Sequence, residues 1–249
     1  MKAFILAAGL GTRLKPWTLS HPKALVPVGG VPMLERVITR LKNEGYDNII
    51  VNVHHFSDQI IDFLNNHDFG VKIGISDESD LLLDTGGALL AAGRLLGNDD
   101  EPFLVHNVDI LSDAPLGHLM AMHKSSGRDI TLLTSSRDSS RKLVFDNDGM
   151  LKGWHNTSTG EFRPGGFIPS DCFNEHAFSG IYIVNARVLE NIRKYSDLLE
   201  SRKFPIMDYL ISNPYGDKIG ELYLDELNLI DIGKPDTLKK ADSLFSGVQ

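Results

Sequence analysis

Cysteine is almost missing from this chain: Cys172 is the single one among 249 residues. One cysteine cannot form an intrachain disulfide, so a disulfide-stabilised scaffold is excluded and a reducing compartment is the simplest setting. The sequence also lacks an apolar run of about 18 residues, the length that a membrane-spanning helix needs. We therefore expect a cytoplasmic protein that does not contact a membrane.

Positive charge is scarce as well. The 25 lysines and arginines are outnumbered by 33 aspartates and glutamates, which gives a formal net charge of −8. Nucleic-acid-binding proteins present basic stripes, so nucleic acid is not an expected partner. A site for an anionic ligand must then be a local cluster of cations on an acidic background.

The most informative segment that is present lies at the start of the chain. Residues 2–8 are almost wholly apolar, which is typical of a buried parallel strand. The sequence GLGTR (residues 9–13) follows, in which glycines let backbone N–H groups approach an anion and Arg13 adds a positive charge. Further along, PKALVPV (residues 22–28) adds Lys23. Together these segments predict a loop suited to a polyphosphate.

Two common phosphate-binding motifs do not fit this loop. A P-loop requires Gly-Lys followed by Ser or Thr, which the sequence lacks, and a dinucleotide fingerprint requires a third glycine where Leu14 stands. The string LAAGLGTRL followed by PKALVPV instead resembles the signature of the sugar-1-phosphate nucleotidyltransferases, also called nucleotide-sugar pyrophosphorylases. The resemblance extends over nearly the whole chain.

The resemblance implies roles for particular residues. In this family the glycine-rich turn holds a nucleoside triphosphate, the arginine lies on its phosphates and the lysine contacts the α-phosphate, which implies catalytic roles for Arg13 and Lys23. A later glycine-containing segment recognises the nucleobase, and the segment FSG (residues 178–180) lies against the sugar, which implies sugar-phosphate binding by Ser179 and Gly180. The nucleotide-binding residues implied in this way are Leu6, Ala8, Gly9, Gly11, Thr12, Arg13, Lys23, Asp84, Thr85, Gly86 and Asn107.

Two aspartates are predicted to hold Mg²⁺. Asp109 ends an apolar strand predicted over 103–108, and Asp231 ends a strand predicted over 228–231. Carboxylates at the C-terminal ends of parallel strands face the crevice where α/β sheets bind ligands, and Mg²⁺ prefers hard oxygen ligands. The family supplies its metal aspartates from the same two kinds of strand end. Asn107-Val108-Asp109 departs slightly from it, since many relatives have glycine directly before the first aspartate.

Alternating strand and helix signals predict the fold. Strands are expected over 48–53, 71–75 and 103–108, with helices after Pro32, from Ser57 and over 86–96. This rhythm predicts a single α/β domain over 1–249, Rossmann-like and three-layered (α/β/α) with a mostly parallel central sheet, of the nucleotide-diphospho-sugar transferase type. Residues 1–110 are expected to form the nucleotide-binding half and 111–249 the sugar-phosphate-binding half.

Further predictions concern an irregular segment, three acidic residues and one histidine. Residues 155–175 are rich in Gly, Pro, Ser, Thr and Asn, and we expect them to form a long, irregular, mobile flap over the acceptor site. Asp77, Glu78 and Asp80 are expected at a solvated rim. His106 lies inside an apolar strand and is expected to be a hydrogen-bonded core histidine.

The implied reaction is transfer of a nucleotidyl group from a nucleoside triphosphate to a sugar 1-phosphate, with Mg²⁺ as cofactor and pyrophosphate as the second product. The segments around residues 55, 85 and 179 look most like N-acetylmuramate-1-phosphate uridylyltransferases and mannose-1-phosphate guanylyltransferases. The expected product is therefore UDP-N-acetylmuramate from UTP or GDP-mannose from GTP. Alternatives are transfer to glucose 1-phosphate or choline phosphate, and a non-catalytic regulatory protein that binds nucleotide sugars. The expected oligomeric state is monomer or dimer.

Overall fold

The structure, a computed structural model, describes residues 1–96 and 100–245. Its strands are β1 (Lys2–Leu6), β2 (Pro27–Val28), β3 (Val31–Pro32), β4 (Asn48–Val53), β5 (Lys72–Asp77), β6 (Phe103–Asn107), β7 (Ile110–Ser112), β8 (Ile130–Ser135), β9 (Arg141–Phe145), β10 (Leu151–Asn156), β11 (Glu161–Arg163), β12 (Asn174–Val184), β13 (Ile219–Tyr223) and β14 (Leu229–Asp231). Its α-helices are α1 (Met33–Asn43), α2 (Ser57–Asn65), α3 (Asp84–Leu96), α4 (Leu116–Ser126), α5 (Val188–Leu198), α6 (Ile206–Ser212) and α7 (Pro235–Phe245).

A ten-stranded sheet forms the centre of the molecule. In its central part, the seven strands β5, β4, β1, β6, β12, β8 and β13, four of the six pairings are parallel. β5, β4, β1 and β6 are neighbours in that order, and all three pairings between them are parallel. β12 runs antiparallel to its neighbours β6 and β8, and β13 lies parallel beside β8. The predicted α/β fold with a mostly parallel central sheet is confirmed.

Apolar side chains on the two faces of this sheet build two cores, which gives the three layers that the sequence predicts. In β1, Ala3 and Ile5 point into one core and Phe4 into the other, as the period of a strand requires. The first core receives side chains from α1, α2, α4 and α7, and the second from α3, α5 and α6. Within the described residues, no helix combines the length and the apolar character needed to cross a bilayer.

A smaller antiparallel extension, formed by β9, β10 and β11, is attached to one end of β12. β9 pairs with Asn174–His176 of β12, β10 with β9, and β11 with β10. The prediction that 155–175 is irregular throughout is therefore wrong, because strands cover 155–156, 161–163 and 174–175. The turn residues at 157–160 conceal this hairpin in the sequence, since Thr, Ser and Gly carry no strand periodicity.

One helix was not predicted at all. α4 buries Leu116, Leu119, Met120 and His123 and ends at Gly127, which has a φ of +66°. Its buried residues recur every three or four positions, as an amphipathic helix requires. A glycine at its second position and two histidines weaken this signal in the sequence.

Candidate active site

A cavity of about 290 Å³ opens beside the C-terminal ends of β1 and β6. This edge of a parallel sheet is where α/β proteins bind ligands. Eight predicted site residues line it, all of them from the first 110 residues of the chain. They are Leu6, Ala8, Gly9, Lys23, Asp84, Thr85, Asn107 and Asp109.

Gly11 packs the glycine-rich loop against the segment that carries Lys23. Gly11 has a φ of +60°, and a Cβ added there would lie 2.8 Å from both Lys23 Cβ and Thr18 Cγ2. Thr18 Oγ1 also donates a hydrogen bond of 2.9 Å to the Gly11 carbonyl oxygen. The backbone conformation and the close approach both require glycine at this position. Thr12 is exposed and lines neither this cavity nor the larger one described below.

Two buried polar side chains, Asn52 and Glu78, hydrogen-bond to each other, and Asn52 also binds the backbone at the start of the loop. Asn52 Oδ1 accepts hydrogen bonds from the backbone N–H groups of Ala7 (2.6 Å) and Ala8 (3.2 Å), and Asn52 Nδ2 donates to Glu78 Oε1 at 2.8 Å. Glu78 Oε2 accepts from the N–H of Leu83 at 3.2 Å. Burial raises the pKa of Glu78 above its usual range. The expectation that Glu78 lies at a solvated rim is wrong, since it is 3% exposed and lines the cavity.

Sequence reasoning missed this pair because neither residue belongs to a recognisable motif. The available signal was Asn52 itself, a polar residue inside the apolar strand β4. An amide at such a position must find a partner when it is buried.

Lys23 and Asp109, which both line this cavity, form an ion pair. The Lys23 ammonium donates to Asp109 Oδ2, and the two side chains are only 12% and 16% exposed. Asp109 directly precedes β7, and the N–H of Ile232 donates to the Asp109 carbonyl oxygen at 3.0 Å. Asp231 lies opposite Ile110 in the antiparallel pairing of β7 with β14. The structure thus places the two predicted metal ligands close together in register: Asp231 lies in β14, and Asp109 is one residue before the partner of Asp231 in β7.

A larger cavity of about 1240 Å³ contains the side chains of Arg13 and Asp231. The two residues meet at Gly233, where an added Cβ would lie 2.6 Å from Arg13 Nη2 and 2.7 Å from Asp231 Oδ1. The N–H of Gly233 donates to that same oxygen at 2.7 Å. Most other lining residues belong to the β9–β11 extension, to the segment before β9 and to α6; they include Arg137, Arg141, Trp154, Asn156, Phe162, Arg163 and Asp208.

Five predicted residues line neither cavity: Gly11, Thr12, Gly86, Ser179 and Gly180. The N–H of Gly86 donates to the Phe204 carbonyl oxygen at 2.9 Å, and an added Cβ would lie 2.3 Å from the Phe204 ring. Gly86 therefore packs α3 closely against the chain before α6, and its amide is not available to a nucleobase. Ser179 is 1% exposed, and its Oγ accepts a hydrogen bond of 3.2 Å from the N–H of Ile181.

Gly180 lies at a bulge in β12 and adjoins the smaller cavity through Asn107. Phe178 pairs with Thr134 of β8 and Tyr182 with Leu132, so β12 has two extra residues between the pairings. Gly180 has a φ of +78°, and an added Cβ would lie 2.7 Å from Asn107 Nδ2. The bulge therefore leaves room for the Asn107 amide beneath the cavity.

His106 lies under the site in the strand that ends at Asn107. The predicted core position is correct: His106 is 1% exposed, and its Nδ1 lies 2.8 Å from the Asn107 carbonyl oxygen. Its Nε2 is buried without a hydrogen-bond partner among the described residues. Burial lowers the pKa of His106 to about 4. The ring is therefore neutral at physiological pH.

Comparisons with known proteins agree with this architecture. The family model described as "Nucleotidyl transferase" matches residues 2–145, and the chain belongs to this family. It is 34% identical over 211 residues to a mannose-1-phosphate guanyltransferase of Gibberella zeae, an alignment that covers 83% of this chain and 56% of the relative. It is 32% identical over 210 residues to mannose-1-phosphate guanylyltransferase 1 of Arabidopsis thaliana, covering 82% and 55%. The chain thus spans about half the length of these relatives.

A solved structure shares the fold. The crystal structure of HddC from Yersinia pseudotuberculosis superposes with a TM-score of 0.75 at 24% identity, covering 98% of this chain and 99% of that one.

Proposed function

We propose that the chain transfers a nucleotidyl group from a nucleoside triphosphate to a sugar 1-phosphate, with the triphosphate in the smaller cavity and the acceptor in the larger one. The observation that carries this proposal is the position of Asp109 and Asp231. Asp231 lies in β14, Asp109 directly precedes the strand β7 that pairs with β14, and one of the two lines each cavity. Two substrates bound in these cavities would meet between them.

The reaction is an in-line displacement at the α-phosphorus. A phosphate oxygen of the acceptor forms the new P–O bond, the bond between the α-phosphorus and the bridging oxygen to the β-phosphate breaks, and pyrophosphate leaves with that electron pair. The acceptor phosphate is already an anionic nucleophile, so no general base is needed. Catalysis then depends on positioning and on neutralising charge, which the loop amides, Lys23 and Arg13 supply.

Asp109 and Asp231 have the donor chemistry that Mg²⁺ prefers. Mg²⁺ in such sites is held by one or two carboxylates together with substrate phosphates and water. The described residues contain no group of three or more carboxylate, histidine or cysteine side chains that could hold a metal by themselves. Two carboxylates completed by the substrate fit this pattern, and we infer that they hold Mg²⁺. When bound, the ion would neutralise charge on the reacting phosphates.

For the substrates we propose GTP and mannose 1-phosphate, because both relatives reported above carry the name of that activity. One feature of the larger cavity favours a second candidate, UTP and N-acetylmuramate 1-phosphate. Arg141 lines this cavity, and its guanidinium forms no ion pair with a described residue. An acceptor with a carboxylate in addition to its phosphate, as N-acetylmuramate has, would supply a partner for it.

Pyrophosphate release tests these proposals directly. The purified protein is assayed with GTP, UTP, ATP, CTP and dTTP against mannose, N-acetylmuramate and glucose 1-phosphates and choline phosphate, in the presence of Mg²⁺. We expect one pair to exceed the others in kcat/KM by at least about tenfold. Nucleotide-sugar binding without turnover on any pair would instead identify a regulatory protein.

A further inference from the structure

Arg137 is a cation of the larger cavity that no motif in the sequence identifies. It follows β8 in the segment Ser136-Arg137-Asp138 and lines the cavity together with Arg13 and Asp231. Its Nη2 donates a hydrogen bond of 2.8 Å to the carbonyl oxygen of Phe178. Phe178 is the last paired residue before the bulge of β12. This bond fixes the guanidinium against the sheet beside the site.

The guanidinium is largely removed from water, yet most of its donors have no acceptor. Nε is buried and has no hydrogen-bond partner among the described residues. Nη1 also lacks one, but it is not among the buried atoms, so it remains accessible from the cavity. Burial lowers the pKa of Arg137, and the nearby charge of Asp231 opposes this effect. A desolvated cation with unused donors is stabilised when an anion binds to it.

The geometry of a guanidinium matches phosphate. Arginine presents donors in a planar fork and forms two parallel hydrogen bonds to a phosphate or carboxylate. Asp231 is the acidic neighbour of Arg137 in this cavity, and it is also a residue that we assign to the reacting end of the site. An acceptor bound in this cavity with its phosphate toward the triphosphate would bring that phosphate close to both residues.

We propose that Arg137 binds the phosphate of the sugar 1-phosphate and holds it for attack, so that it determines affinity for the acceptor and not for the triphosphate. The assignment rests on the proposed function, because it takes the larger cavity as the acceptor site. Among the described residues, the guanidinium of Arg137 hydrogen-bonds only to the carbonyl oxygen of Phe178, which also lines that cavity. Arg137 does not line the smaller cavity, in which we propose that the triphosphate binds.

Steady-state kinetics of Arg137→Gln and Arg137→Lys test the proposal. In the glutamine variant we expect the KM for the sugar 1-phosphate to rise at least about tenfold, with the KM for the triphosphate within about twofold of the unmodified protein. The KM of the lysine variant for the sugar 1-phosphate should lie between those of the unmodified protein and the glutamine variant, because an ammonium keeps the charge but not the planar fork of donors. Arg94→Gln is the matched control, since it removes the same charge from an exposed position on α3 outside both cavities.

Calorimetry separates this proposal from the proposed function. We would measure the binding of mannose 1-phosphate, N-acetylmuramate 1-phosphate and unphosphorylated mannose to the full chain and to Arg137→Gln. Loss of sugar-phosphate binding in the variant, with the Arg94→Gln control unchanged, supports the role of Arg137 even if no pair releases pyrophosphate.

Two results would overturn the proposal. One is sugar-phosphate binding to Arg137→Gln within about twofold of the unmodified protein. The other is an equal loss of triphosphate binding in a variant whose melting temperature is unchanged.

Discussion

Lys23 and Asp109 are joined by an ion pair although 86 residues separate them in the sequence. The contact links the PKALVPV segment to the residues that follow β6, and both side chains line the smaller cavity. In the absence of substrate each group neutralises the other. A bound triphosphate would offer the lysine a phosphate oxygen and leave the carboxylate to a cation, so both groups are held in place for the partners that we propose.

We predict that Asp109→Asn lowers turnover by at least about two orders of magnitude, because it removes a proposed metal ligand. It also leaves the Lys23 ammonium without its anionic partner in a mostly buried site. We expect the free energy of unfolding to fall by about 1–3 kcal/mol, the usual cost for a hydrogen bond to a charged group. Urea unfolding and pyrophosphate-release kinetics measure the two effects.

Asp231→Asn provides the comparison, since none of the described residues forms an ion pair with Asp231. It should lose turnover to a similar extent with a smaller loss of stability. Near-normal turnover of either variant at saturating Mg²⁺ would show that the residue does not bind the metal.

Arg13 and Lys23 should differ in their kinetic roles. Lys23 lines the smaller cavity beside Asp109, where charge develops during the reaction, so we predict that Lys23→Ala lowers kcat more than it raises the KM for the triphosphate. Arg13 lines the larger cavity beside Asp231, where we propose that the two substrates meet, and it can form a bidentate contact with phosphate there. Arg13→Ala should therefore change both parameters. Small and equal effects of both substitutions would show that neither residue contacts the reacting phosphates.

Gly9 and Gly11 allow a test that separates ligand binding from folding. A Cβ at Gly9 meets no protein atom within 4 Å, whereas one at Gly11 would overlap Lys23 and Thr18. We expect Gly9→Ala to keep the unfolding midpoint but to weaken triphosphate binding several-fold, because its methyl group enters the cavity. Gly11→Ala should lower the free energy of unfolding by about 1–3 kcal/mol, since both φ and space are unfavourable. Unchanged nucleotide affinity in Gly9→Ala would exclude the loop as the triphosphate site.

His106 should make the protein sensitive to mild acid. Its folded pKa of about 4 lies below the ordinary value of 6.5. Between these values the unfolded chain binds more protons than the folded one, so stability falls as the pH is lowered from 6.5 to 4. From above pH 6.5 to below pH 4, the titration of His106 lowers the free energy of unfolding by about 3 kcal/mol in total.

His106→Phe is the variant that tests this pH dependence, because it keeps a ring in the core and removes the titration. Its unfolding free energy should change less steeply over that pH window than that of the unmodified protein. An identical slope in both proteins would assign the acid sensitivity to other groups.

The hairpin of β10 and β11 should become better protected when product binds. Phe162 and Arg163 of β11 line the larger cavity, so a nucleotide sugar bound there would contact them. We expect amide hydrogen exchange across 157–165 to slow several-fold on addition of the product. Unchanged exchange in this segment, with protection gained around the smaller cavity, would place the hairpin outside the acceptor site.

The central strands could be predicted from the sequence because each is buried on both faces and appears as a short apolar run. β4 was predicted with its observed bounds, 48–53. The phosphate loop could be predicted because glycine spacing and two cations form a recognisable pattern.

Other parts of the site had no such pattern. Glu78 and Arg137 look like ordinary surface charges in the sequence, and only the packing of distant strands buries one and places the other in a cavity. The packing role of Gly86 depends on Phe204, more than 100 residues away. Such long-range neighbours are not encoded in any local periodicity.

The antiparallel extension is joined to the main sheet chiefly through the pairing of β9 with three residues of β12. The remaining part of β12 pairs with β6 and β8 in the buried sheet. The extension can therefore vary in length and side chains without disturbing the segments that carry Lys23 and Asp109. A graft of residues 141–163 from another member of the family would exchange one wall of the larger cavity while leaving the smaller cavity as it is, which makes the extension a modular part for redesigning the acceptor choice that we propose for the larger cavity.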